Sequence, residues 1–126
     1  MSQLAALCER LRIRAEATYG AVELPEGWAR DTHPYKVRLR FQGRALTVPF
    51  FMGSGHSSEP TAADVLSCLC SDANIGEQSF EEFCSDMGSD PDSRKAEATW
   101  KACVAMGPRI RRFLGDSFDA VARAEH

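Results

Sequence analysis

No lysine or arginine occurs between Arg44 and Arg94, and nine acids fall into that gap: Glu59, Asp64, Asp72, Glu77, Glu81, Glu82, Asp86, Asp90 and Asp92. The flanking arms are basic. Residues 1–44 carry eight bases against five acids, and residues 94–126 carry seven against four. The net charge of −3 therefore averages over a segregated pattern, which bears on partners and association more than on fold.

Long apolar runs are also missing. The longest, Val48 to Met52, contains Pro49 and falls far short of the roughly 20 residues that cross a bilayer. A basic, apolar leader is absent, and five cysteines (Cys8, Cys68, Cys70, Cys84, Cys103) are an odd number. Both point to a cytoplasmic protein with free, mostly buried thiols rather than a disulfide framework. With 126 residues and 44% apolar content, one domain is expected, able to bury about two-thirds of its unfolded surface unaided. Internal repeats and low-complexity tracts are not visible, and only Pro25 to Pro34 and Gly53 to Pro60 read as weakly structured.

What is present divides into an early β pattern and a later helical one. Leu4, Leu7, Cys8 and Leu11 form the stripe of a short helix over Ser2 to Leu11. From Arg12 to Tyr19 the period becomes two, with Ile13, Ala15, Ala17 and Tyr19 on one side, as in a half-buried strand. His33-Pro34 reads as a break. Tyr35, Val37, Leu39 and Phe41 then alternate with Lys36, Arg38, Arg40 and Gln42, and a further strand runs from Arg44 to Phe51. Together they predict a hairpin turning at Gln42-Gly43, with Pro49 confining the second strand to an edge or a bulge. If Arg12 and Arg14 pair alongside, the outer face of the sheet is basic.

Beyond Gly53 the spacing is helical. A helix is expected from about Pro60, capped by Ser58 or Glu59, with Ala63, Leu66, Cys70 and Ala73, joined by Val65 and Leu69, as a wide apolar face. Ser79 and Glu82 form a capping box for a helix carrying Phe80 and Phe83, closed by Gly88. A longer helix should run from Pro91 to Met106 with Ala96, Trp100, Cys103 and Val104 inward, break at Gly107-Pro108, and resume through Ile110, Phe113 and Leu114. A short helix with Phe118, Val121 and Ala122 ends the chain. The expected class is α+β: a small antiparallel three-stranded sheet over residues 1–53 with its first helix, packed against a helical part over residues 59–124.

Candidate chemistry is sparse. Cys68, Cys70, Cys84 and Cys103 with His56 contain zinc-ligand residue types, but two cysteines two apart on a helix face different ways, so buried core thiols are the better reading. His56 sits among Ser54, Ser57 and Ser58 and is the best acid–base candidate, without a nucleophile or orienting carboxylate at a recognisable spacing. The loop is neither a P-loop nor a nucleophile elbow. Asp90-Pro91-Asp92-Ser93 has the acids of a calcium loop but lacks its sixth-position glycine and twelfth-position glutamate, and suits a helix start. No catalytic residue, metal ligand or cofactor is expected. Arg38, Arg40, Arg109, Arg111 and Arg112 could touch nucleic acid, although an isoelectric point near 5.6 speaks against a dedicated DNA binder. The acidic block suits a cationic groove on a protein partner.

Val37, Leu39 and Gly43-Arg44, then Gly53, Gly55-His56 and Pro60, Asp64-Val65-Leu66 through Leu69, Ser71-Asp72-Ala73, Ser79 to Cys84, and Gly88 with Asp90 and Asp92 to Ala96 form one long string over about two-thirds of the chain. In these residues the chain resembles a family of short proteins encoded by bacteriophages and prophages. Small phage proteins without an enzymatic signature often bind and disable a host factor, and some are similar in size and acidity to anti-CRISPR proteins. The resemblance implies a stoichiometric inhibitor of a host protein or ribonucleoprotein effector. Glu77, Glu81, Glu82, Asp86, Asp90 and Asp92 would meet the partner. A His/Cys-centred enzyme or metal module, and a nucleic-acid-associated accessory protein, are the alternatives.

Overall fold

Ser2 opens the first element: its hydroxyl accepts the Ala5 N–H at 3.0 Å and caps helix α1, Gln3–Leu11. Leu4, Leu7 and Cys8 are buried along one side of it, as the stripe predicts. Arg12 then adopts the left-handed conformation (φ 60°, ψ 42°), and its N–H closes the helix on the Cys8 and Glu9 carbonyls. The chain leaves as a strand only at Arg14, two residues later than the alternation suggests, because Arg12 is used to turn. The computed structural model describes residues 2–24, 30–53, 59–70, 74, 78–88 and 90–125.

Three strands follow one another in space as in sequence: β1 (Arg14–Tyr19), β2 (His33–Phe41) and β3 (Arg44–Met52), all antiparallel. Val37, Leu39 and Phe41 of β2 and Leu46 and Val48 of β3 are buried, while Lys36, Arg38, Arg40, Ala45 and Thr47 face water. The hairpin turns through Gln42 (φ 49°) and Gly43 (φ 76°), the two positive dihedrals that match a tight turn to the twist of its strands. Pro49 lies on β3, an edge strand, where its missing N–H costs no ladder bond on an outer side. His33 and Pro34 do not break the chain; they begin β2, and the Pro34 carbonyl accepts the Gly20 N–H at 2.8 Å. A proline at the start of a strand keeps its acceptor even though it cannot donate.

The helices after the sheet are α2 (Ala62–Leu69), α3 (Phe80–Met87), α4 (Arg94–Leu114) and, after a 3₁₀ turn at Gly115–Ser117, α5 (Phe118–Glu125). The molecule is thus α+β. Thr61 and Asp64, not Ser58 or Glu59, start α2, each side chain accepting the other's backbone N–H at 3.2 and 2.9 Å. Ser79 and Glu82 form the expected capping box on α3, and Gly88 (φ 66°) closes it. Ser93 caps α4 through the Ala96 N–H at 3.2 Å. Gly107-Pro108 does not interrupt α4, which runs unbroken for 21 residues. The apolar stripe explains this: Ala96, Gly107, Ile110, Phe113 and Leu114 are buried on one side of the whole length, and burying each large side chain returns about 1.5–3 kcal/mol against the bond that Pro108 forgoes. Val104 lies off that stripe and is 37% exposed, where the sequence pattern placed it inward.

By its contacts the chain divides into two compact units, Met1–Leu66 and Ser67–His126. The first unit buries residues of α1, the sheet and the start of α2, with Val37, Leu39 and Leu66 wholly shielded. In the second, Phe83, Cys84 and Ala96 form a cluster on which Phe80, Trp100 and Cys103 pack. The Trp100 indole donates to the Gln78 carbonyl at 3.2 Å, tying α4 to the start of α3. No described helix is long and apolar enough to cross a membrane.

Candidate functional site

Helix α3 turns its apolar side inward through Phe83 and Cys84. At 100° per residue, Glu82 and Asp86 share the opposite side one turn apart, and Glu81 lies beside Glu82. All three are exposed, as are Asp90 and Asp92 in the loop between the Gly88 and Ser93 caps. Among the described residues none of these five carboxylates meets a cation. Elsewhere in the chain acids do find partners: Glu16 contacts Arg40 at 2.8 Å, and Glu97 contacts Lys101 at 2.9 Å. Glu77 lies outside the described residues.

Three of the five have local tasks. Glu82 accepts the Ser79 N–H in the capping box. The Gln78 amide donates to Asp86, and Asp90 accepts the Asp92 N–H at 2.9 Å, turning the chain toward α4. Glu81 and Asp92 make no side-chain bond of this kind. Glu81 and Glu82, in the first turn, suit the positive end of the helix dipole, but Asp86 lies in the last turn, where helix electrostatics disfavours an acid. Glu82 and Asp86 are also a like-charged pair four apart, which costs a few tenths of a kcal/mol.

The second charged surface is on the sheet. The register sets Arg14 directly opposite Arg40, and Glu16 opposite Arg38. Arg12, Arg14, Arg38, Arg40 and Arg44 line a depression of about 260 Å³ at the turn end of the hairpin, with no acid in its lining. Arg44 donates to Gln42 at 3.2 Å and lies over the Phe41 ring, 5.5 Å from its centroid. Arg38 and Arg40 thus belong to a basic surface with Arg12 and Arg14, as the strand pattern suggests, and Arg44 joins them across the turn. Arg109, Arg111 and Arg112 are in the other unit on α4, and Arg111 stacks on Phe118 at 4.3 Å.

The thiols offer little chemistry. Cys8, Cys70 and Cys84 are buried, Cys103 is half-buried and Cys68 is exposed. Burial pushes the Cys8 and Cys103 thiols up; burial, then the Asp90 carboxylate, does the same to Cys84. Raised values keep them protonated near neutrality, where a thiol is a weak nucleophile and a poor ligand. No group of three or more described His, Cys, Asp or Glu side chains has a metal-binding arrangement. His56 and its serines, Ser54, Ser57 and Ser58, lie outside the described residues, as do Asp72 and Ala73. Asp90-Pro91-Asp92-Ser93 is a turn and a helix cap.

No protein-family model, curated protein or solved structure matches this chain.

Proposed function

We propose that the protein is a non-enzymatic inhibitor that binds a host defence machine stoichiometrically, through the carboxylates of α3 and the loop after it. The phage-family resemblance supplies the class. The observation that carries the reading is the exposure of Glu81, Glu82, Asp86, Asp90 and Asp92 without a described cation beside any of them. Such a surface is electrostatically complementary to a nucleic-acid groove, whose lysines and arginines normally face phosphates. A CRISPR effector complex is the machine that fits the resemblance best. Binding of this kind is fast at low salt and weakens as salt rises. It needs no cofactor.

Glu81 and Asp92 provide the test, since neither caps a helix. Immobilised protein should retain its target from a host lysate at about 50 mM salt and release it within a few multiples of that concentration. Glu81→Lys/Asp92→Lys should retain none, and the neutral Glu81→Gln/Asp92→Asn should retain an intermediate amount. Identical retention by all three would remove the acidic surface from the account.

A further inference from the structure

The five-arginine depression on the sheet is a costly arrangement. Arg14 and Arg40 face each other across β1 and β2, and like charges directly opposite destabilise a sheet. Arg12 holds a left-handed backbone, a conformation that costs a non-glycine residue roughly 1–2 kcal/mol and that glycine or asparagine usually fills at a helix end. Glu16 offsets part of this charge through the Nε of Arg40, and none of Arg12, Arg14 and Arg38 forms such an ion pair among the described residues. Two unfavourable placements converging on one concave surface indicate a ligand that repays them.

We propose that this depression binds the phosphodiester backbone of duplex nucleic acid. Guanidinium groups pair with phosphate oxygens in a planar, bidentate geometry, and arginine keeps its charge at any physiological pH. All five cations here are arginines. The turn prepares part of the site: the Phe41 ring lies under the Arg44 guanidinium, and the Gln42 side-chain carbonyl oxygen accepts from it. Around the arginines the outer face carries Thr18, Ala45, Thr47 and Pro49, all exposed. Among the described residues it has no aromatic platform on which unpaired bases stack, so a single strand gains nothing from them. Those residues also lack the large aromatic anchor that dominates protein interfaces. Backbone binding needs neither, because duplex charge density and counterion release supply the affinity. No base edge is read, so binding is independent of sequence. The site is in Met1–Leu66, apart in sequence from the carboxylates of α3, and stands or falls without them.

The test is fluorescence anisotropy of the full chain with a labelled duplex at 50 and 200 mM salt. Five phosphate contacts set an upper limit of about 500-fold weakening across that range, and three contacts about 40-fold. Arg14→Gln/Arg38→Gln alters two exposed side chains and should move the salt dependence from near the first figure toward the second, with an unchanged circular dichroism spectrum. A second duplex of unrelated sequence should bind equally, and a single strand of equal length more weakly. The proposal is overturned by no binding at 50 mM salt, by an unchanged salt dependence in the variant, or by poly-glutamate competing as well as the duplex. Inorganic phosphate that competes as well, at equal phosphate concentration, would likewise replace a backbone groove with a single-ion pocket.

Discussion

Arg12 is a poor choice for ending a helix. The left-handed cap between α1 and β1 is the conformation glycine takes without a Cβ clash, and here an arginine takes it. Its cost makes sense if the side chain is wanted at the mouth of the sheet depression. Arg12→Gly should therefore raise stability, by about 1 kcal/mol, while weakening duplex binding, the two effects being read by denaturant titration and anisotropy on the same preparation. Loss of stability would mean that the arginine side chain contributes more to the fold than its backbone strain costs. Glu81 and Asp92 pose the same question with opposite sign: among the described residues neither side chain accepts a hydrogen bond, whereas Glu82, Asp86 and Asp90 each hold one.

At the scale of elements, α4 shows where tertiary context overrides a local rule. Pro108 has no N–H to offer the Val104 carbonyl, yet the helix continues because Ile110, Phe113 and Leu114 extend the buried stripe begun by Ala96. Pro108→Ala should restore that bond and raise unfolding free energy by about 1–3 kcal/mol, measured by chemical denaturation; a fall would show that the proline shapes the helix rather than burdening it. Elements specified by short-range chemistry are legible in the sequence. The hairpin is plain from strict alternation around Gln42-Gly43, and the Ser79–Glu82 box and Gly88 mark α3 at both ends. The misread places are those where a breaker is outvoted by burial, as at Pro108, or used as a strand start, as at His33-Pro34. The start of α2 was hidden differently: Ser58 and Glu59 stand before Pro60 as candidate caps, and only the geometry shows that Thr61, after it, takes the role.

For the whole molecule, the charge segregation seen in the sequence has two structural forms. The acids of the gap divide between units, Glu59 and Asp64 in the first and the α3 group in the second. The arginines of the N-terminal arm converge across three chain segments that only the strand register brings together, so Arg44 could not be joined to Arg12 by spacing alone. Exposure of individual acids on α3 follows from the helical period; the gap in lysine and arginine from residue 45 to 93 leaves α3 itself without a cation, while Arg94 and Lys95 at the start of α4 form no ion pair with Asp90 or Asp92 among the described residues. The direct measurement of the central claim is phage plating on a host whose CRISPR effector targets that phage. The account predicts that the wild-type chain restores plating to the level of a host without the effector, and that Glu81→Lys/Asp92→Lys, accumulating to the same amount, leaves it at the level of an empty vector. Equal rescue by both chains, or rescue by neither, would contradict it.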